Sequence, residues 1–524
     1  MEITQSFLFR IPFAEPPVGN LRFAPPRPLK LKSWLGVRNA TTYGAACLQQ
    51  NTSIGGGAGQ LPFKLPSFTY PIANVTPIQQ QSEDCLFINV VTPAQIHSTK
   101  SGLPVLMWFF GGGYETGDSS SFPGAPIVER SLVLDEPVIF VSANYRLNAF
   151  GFLASEEVQQ AGATNLGLRD QQLAMQWVHE YISAFGGDPN KVIIWGESAG
   201  SESAGYHLLM NNGSARGLFR GALMESGTPH AIANVSAGQG YYDQLVQSTN
   251  CAGAENTLQC LRTAPVNDIW AAVNATPSIV DYQSTDLVWQ PRVDGDLIPY
   301  NPSRMIQNGE FAKVPIVAGD CEDEGTIFAL SDLNVTTDEE FKQYIQEYYL
   351  PNLLNSDIEA VAQAYSPAPS LGSPFGTGDK YNITPQYKRM AAFKGDVTFQ
   401  APRRHLLKYM SQVQPTWGFR FRRNAEPYIG VYHSADIPEF FTEIDYIGMD
   451  ALIYFANYLD PNAPNKTASS ISPLANISWP SWNSSLDAPP LLTFLDPAPS
   501  VNITADTYRV NETDLLTSLF LQSP

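Results

Sequence analysis

Four short apolar runs rich in β-branched and aromatic residues, LFINVVT, LPVLMWFF, PVIFVSANY and KVIIW, lie between residues 86 and 195, each bounded by Gly, Pro or polar turn residues. Between the third and the fourth the period changes. From Asp170 to Phe185, Leu173, Trp177, Tyr181, Ile182 and Phe185 fall near one face of a helix, which Gly186-Gly187-Asp188-Pro189 stops. Strands apolar on both faces, alternating with helices, predict an α/β fold built on a mostly parallel sheet covered on both sides. Further runs, VPIVAG and WGFRFR, extend the pattern. Residues 1–46 read as Pro-rich and extended, 48–84 as a polar Gly-containing loop, and 465–500 as a Pro-, Ser- and Asn-rich surface loop. No internal repeat is present.

The fourth run leads into candidate chemistry. VIIWGESAGSESAGYHLL sets Gly196-Glu197-Ser198-Ala199-Gly200, a G-x-S-x-G pattern, between an apolar strand and an apolar helix. A serine lifted on such a strand-to-helix turn exposes its hydroxyl, and the flanking glycines permit the strained backbone and close packing. The bare pattern is weak in a chain with 39 glycines, so a base, an acid and an oxyanion site must accompany it.

Of six histidines, the chain order serine, acid, base excludes His97 and His179, and His207 falls inside the helix after the serine. His405 sits in PRRHLLKYM, an amphipathic helix start suited to packing, whereas His433 sits in IGVYHSADIPEFF, a loop after a strand, and is the preferred base. VPIVAG is followed by Asp320, Glu322, Asp323 and Glu324; a triad needs one fixed acid there, and the pattern leaves all four open, with the other three expected on a solvated loop. Gly111-Gly112-Gly113 follows the strand LPVLMWFF, so Gly112 or Gly113, with Ala199, would supply oxyanion N–H donors. No Gly-Lys-Ser/Thr follows, which excludes a phosphate loop.

Composition narrows the partners. With 44% hydrophobic and 15% charged residues the chain is globular, and a net charge of −19 disfavours nucleic acid and anionic membrane surfaces. No apolar run of eighteen residues occurs, so no membrane-spanning helix is expected. Five cysteines (Cys47, Cys85, Cys251, Cys260, Cys321) lack C-x-x-C spacing, so no metal site is expected. Thirteen Asn-x-Ser/Thr sequons, at Asn39, Asn51, Asn74, Asn212, Asn234, Asn274, Asn334, Asn382, Asn465, Asn476, Asn483, Asn502 and Asn511, point to N-linked glycans and an extracellular protein. MEITQSFLFRIPFAEPP has no basic n-region and no long apolar core, so a truncated start without its signal peptide is the expectation.

Taken together, IPFAEPPVGNLRFAPP, SEDCLFINVVTP, NYRLNAFGFL, NLGLRDQQLAMQWVHEYISAFGGDPNKV, GESAG, LFRGALMESG and GDCEDEGTIF resemble, in order and spacing, the type-B carboxylesterase/lipase family, the cholinesterase-like α/β-hydrolases, over nearly the whole chain. FFGGGYETG, with Phe110 where many relatives carry His, DLNVTTDEE, GSPFGTG and TPQYKRM resemble its secreted fungal lipase and sterol-esterase branch. The resemblance implies an α/β-hydrolase fold with large loop insertions over 1–524 as one catalytic domain. It implies a serine ester hydrolase acting through an acyl-enzyme on hydrophobic esters such as acylglycerols or sterol esters, without metal or organic cofactor. It places the acid on Glu324 and the base on His433, with Glu197 near the triad as a supporting acid. It implies the disulfides Cys47–Cys85 and Cys251–Cys260, leaving Cys321 free, and makes 47–85 a lid-like loop whose Leu61, Phe63, Leu65, Phe68 and Tyr70 would meet a lipid–water interface. Two positions depart from the family: Arg10 and Asn148 stand where glycine is usual. A catalytically silent adhesion or binding protein on the same scaffold and a serine peptidase are the rival readings.

Overall fold

The computed structural model describes residues 5–30, 36, 39–52, 61, 80–94, 102–464 and 471–522. The apolar runs form strands of one ten-stranded sheet in the order β1-β2-β4-β3-β5-β6-β7-β8-β9-β10. These are Gln5–Pro12 (β1), Phe87–Pro93 (β2), Leu103–Phe109 (β3), Ile139–Ala143 (β4), Gly187–Glu197 (β5), Gly221–Glu225 (β6), Ile316–Cys321 (β7), Thr416–Arg422 (β8), Pro490–Leu495 (β9) and Val501–Ala505 (β10). From β4 to β9 every neighbouring pair is parallel, while β1, β2 and β10 are joined antiparallel at the edges. This is an α/β-hydrolase architecture, as expected.

Alternation along the central strands feeds two apolar cores. Leu106, Trp108, Ile193 and Trp195 point into one, and Val105, Met107, Val192 and Ile194 into the other. All eight are fully buried. The helix Leu166–Tyr181 covers the second face with Leu173, Trp177 and Val178, and Gly186 ends the short 3-10 turn after it at φ +85. The parallel arrangement carries the C-terminal ends of β3, β5, β7 and β8 to one rim, where the loops after them can converge.

Three local expectations are corrected. The helix begins at Leu166, not Asp170, because Asn165 sits in the left-handed region and its Nδ2 donates to the Arg292 carbonyl and to Asp294, a tertiary tie invisible in the pattern. Within 465–500, Pro490–Leu495 is a buried strand of the sheet, not surface loop. The N-terminal stretch is not merely extended, since Gln5–Pro12 pairs with β2.

Cys47–Cys85 and Cys251–Cys260 are disulfide-bonded, and Cys321 is a buried free thiol. Most of the expected lid, including Phe63, Leu65, Phe68 and Tyr70, lies outside the described residues; Leu61 is half-buried against a satellite core around Leu330 and Phe393. No helix among the described residues is long and apolar enough to cross a membrane.

Candidate active site

β5 ends at Glu197, and the helix Ala199–Gly213 starts two residues later, so Ser198 alone makes the turn. It does so at φ 55, ψ −128, a sparsely populated conformation for a residue with a Cβ. Two backbone bonds hold it there: the Ser198 N–H donates to the Glu225 carbonyl at 2.9 Å, and the Ser198 carbonyl accepts from the Glu202 N–H at 2.9 Å. Gly200 must be glycine, since a Cβ there would collide with the Phe109 carbonyl of the neighbouring strand.

Three side chains separated by more than a hundred residues meet at this turn. His433 Nε2 lies 2.8 Å from Ser198 Oγ, and His433 Nδ1 lies 2.6 Å from Glu324 Oε2. Glu324 is fixed from behind by the Cys321 N–H, which donates to its Oε1 at 2.6 Å, and by the Ser226 hydroxyl. The imidazole packs against the Phe328 and Phe399 rings, at centroid distances of 5.1 and 4.7 Å. Burial disfavours charge on both members of the His433–Glu324 pair, pushing the imidazole pKa down and the carboxyl up. A neutral imidazole is the form that can accept the serine proton.

Glu197 is the second acid. Its Oε1 lies 3.3 Å from His433 Nε2 and accepts from the Ser434 hydroxyl, while its Oε2 is buried without a partner. Burial raises this carboxyl to about 8. The glycine loop after β3 is left-handed at Gly112 (φ +107) and Gly113 (φ +62), and Gly112 is locked by its carbonyl, which accepts from the Glu115 and Thr116 N–H groups at 3.0 Å. The N–H groups of Gly112, Gly113 and Ala199 donate to nothing among the described residues.

The other candidates separate cleanly. His405 is buried with Nε2 2.8 Å from the Ser303 carbonyl, and His207 bonds Gln171; neither bonds Ser198. The expectation of a solvated acidic loop is overturned: Asp320, Glu322, Asp323 and Glu324 are 1%, 7%, 4% and 1% exposed. Asp320 pairs with Arg403 at 2.7 Å, Glu322 with Arg420 at 2.6 Å, and Asp323 accepts from the Ser373 hydroxyl and the Phe375 and Val431 N–H groups. Only Glu324 faces the imidazole. Sequence reading missed Ser226 and Ser434, the donors to the two carboxylates. Both adjoin motifs that were read, yet an isolated serine has no periodicity or spacing to mark it. Among the described residues no group of three or more His, Cys, Asp or Glu could hold a metal ion.

A serine hydroxyl bonded to a buried, acid-backed imidazole beside free N–H groups is equipped for acyl transfer. The Carboxylesterase family profile matches residues 4–472. The chain belongs to this family. This carboxylic ester hydrolase is 40% identical over 474 residues to Lipase 2 of Diutina rugosa, an alignment covering 88% of this chain and 84% of that protein. It is 36% identical over 489 residues to the Secreted triacylglycerol lipase LIP1 of Gibberella zeae, covering 91% and 81%. Among solved structures, Aspergillus niger EstA superposes with a TM-score of 0.81 at 27% identity, covering 99% of this chain and 96% of that one.

Proposed function

We propose that Ser198, His433 and Glu324 form the catalytic triad of a lipolytic esterase. His433 takes the Ser198 proton at Nε2 as Oγ attacks the ester carbonyl carbon, and Glu324 keeps the other proton on Nδ1 and stabilises the imidazolium. The carbonyl oxygen becomes an oxyanion met by the N–H groups of Gly112, Gly113 and Ala199. The Nε2 proton passes to the departing alcohol; water, activated by the same imidazole, then cleaves the acyl-enzyme to carboxylic acid and free serine. Glu197, with its Oε1 3.3 Å from His433 Nε2, is the second acid beside the imidazolium. No step calls on a metal or organic cofactor.

The observation that carries this reading is the unbroken chain Ser198 Oγ, His433, Glu324 with contacts of 2.8 and 2.6 Å. Ser198→Ala lowers kcat by about 10⁶ while substrate still binds; retention of most esterase turnover by that variant sinks the assignment. The intact set of parts also disfavours a silent binding protein, and an assay of an ester against its matched amide separates esterase from peptidase.

For substrates, the secreted triacylglycerol lipase and the other fungal lipases among the relatives support acylglycerols, and sterol esters are the second class the family resemblance implies. A rate that jumps once a triacylglycerol exceeds its solubility identifies action at a lipid–water interface. Secretion with N-linked glycans is supported by the secreted relative and by exposure of every described sequon asparagine except the half-buried Asn274. Loss of mass on endoglycosidase treatment of protein secreted from a eukaryotic host tests it.

A further inference from the structure

Three consecutive glycines give the loop after β3 its two left-handed turns, but they also leave it intrinsically loose. A donor set stabilises an oxyanion only if it is held in place before the charge appears. The loop's own Glu115 and Thr116 N–H groups hold the Gly112 carbonyl, but its far end at Gly117 is held from outside.

The brace comes from the segment that follows Cys47. Gln49 is 5% exposed, and its side-chain amide clamps both backbone groups of Gly117, the far end of the loop: the Gly117 N–H donates to Gln49 Oε1 at 2.6 Å, and Gln49 Nε2 donates to the Gly117 carbonyl at 3.0 Å. One residue on, the Gln50 N–H donates to the Glu115 carbonyl at 2.9 Å. The brace is itself anchored. The Gln49 carbonyl accepts from Trp270 Nε1 at 2.6 Å, Gln50 Nε2 reaches the Thr276 carbonyl at 3.1 Å, and the disulfide to Cys85 ties down Cys47 two residues away.

We infer that Gln49 is a positioning residue for the oxyanion loop, acting through the backbone of Gly117. This rests on the assignment of Gly112 and Gly113 as oxyanion donors. Gln49 touches no substrate; its amide fixes the end of the loop whose other end presents the N–H groups, and the base of the disulfide-closed segment is thereby coupled to turnover.

The test uses the full chain, p-nitrophenyl butyrate as soluble substrate and phenylboronic acid as probe. Ser198 Oγ adds to boron as His433 takes its proton, giving a tetrahedral anion that needs the oxyanion donors. Gln49→Ala is expected to lower kcat about tenfold or more with KM within about twofold, and to weaken boronate inhibition by the same factor. An inhibition constant does not depend on the fraction of enzyme folded, so lost stability alone cannot move it. Gln49→Glu keeps an acceptor for the Gly117 N–H but loses the donor, and should fall between the two. Should Gln49→Ala not fold, Gln49→Glu against the natural enzyme decides in the same way. Boronate affinity unchanged in the variant that folds overturns the inference while leaving the triad intact; activity surviving Ser198→Ala overturns the triad itself.

Discussion

Ser198 is the most constrained residue of the site. Its φ of 55 is held by the flanking strand, the helix it starts and the Glu225 carbonyl, so strain is stored where the hydroxyl must project. Glu324 shows how position alone makes an acid useful. Four carboxylates lie within five residues at the end of β7, all are buried, and three are taken by Arg403, Arg420 and a set of N–H and hydroxyl donors. The fourth lies 2.6 Å from His433 Nδ1. Glu324→Gln preserves shape but offers an amide where Nδ1–H needs an acceptor of fixed charge. It should cost about 10⁴ in kcat with little change in KM, read from steady-state hydrolysis of a soluble ester.

At the scale of elements, the two departures from the family's glycines have different outcomes. Asn148 takes a left-handed φ of 42, a conformation asparagine tolerates, and its Nδ2 donates to the Leu48 carbonyl at 2.7 Å. Arg10 takes φ 56 at the register shift of edge strand β1, between Leu8 and Ile11, with its side chain exposed. Its guanidinium keeps only an exposed contact over the Phe87 ring at 5.8 Å while the backbone bears the left-handed cost, so Arg10→Gly should stabilise the fold by about 1 kcal/mol, seen as a raised urea midpoint at constant slope. The C-terminal edge depends on charge instead. Asp506, just past β10, accepts from Arg403, Arg404 and Trp482 Nε1 inside the protein, and the two guanidinium groups hold its carboxyl well below the usual range. Its stabilisation is present above the unfolded value and is lost as pH falls toward the folded one. Asp506→Asn leaves Arg403 with Asp320 alone and Arg404 without its carboxylate, and should cost about 3–5 kcal/mol in the same denaturation experiment.

For the whole molecule, charge works against alkaline stability. Glu115, Glu225 and Asp436 are fully buried, each with at least one oxygen that finds no partner and with no cation in ion-pair contact among the described residues. Burial raises Glu115 and Asp436 to about 8 and holds Glu225 well above the usual carboxylate range. A carboxyl raised on folding keeps a proton that the unfolded chain releases, so its contribution is complete below about 4.3 and declines as pH rises through the folded value. Self-repulsion at net −19 acts in the same direction. The thermal midpoint should therefore fall between pH 5.5 and 8.5, and a calorimetric midpoint that rises across that window contradicts the account.

Local order along the chain determined the α/β class, the strands around the glycine loop and the turn at Ser198, because each rests on short-range periodicity or on residues that tolerate unusual backbone; the preference for His433 rests on chain order and loop placement. VIIWGESAG carries its turn in its own glycines. Which of Asp320, Glu322, Asp323 and Glu324 faces the imidazole is open in the local pattern and is named, as Glu324, only by the family resemblance, since neighbouring acids look alike until distant arginines and N–H groups claim three of them. The start of the helix at Leu166, the strand Pro490–Leu495 and the clamp of Gln49 on Gly117 likewise depend on partners up to a hundred residues and more away. Only the tertiary structure decides such pairings, because a buried polar group acquires its role from whatever the fold brings within hydrogen-bond reach.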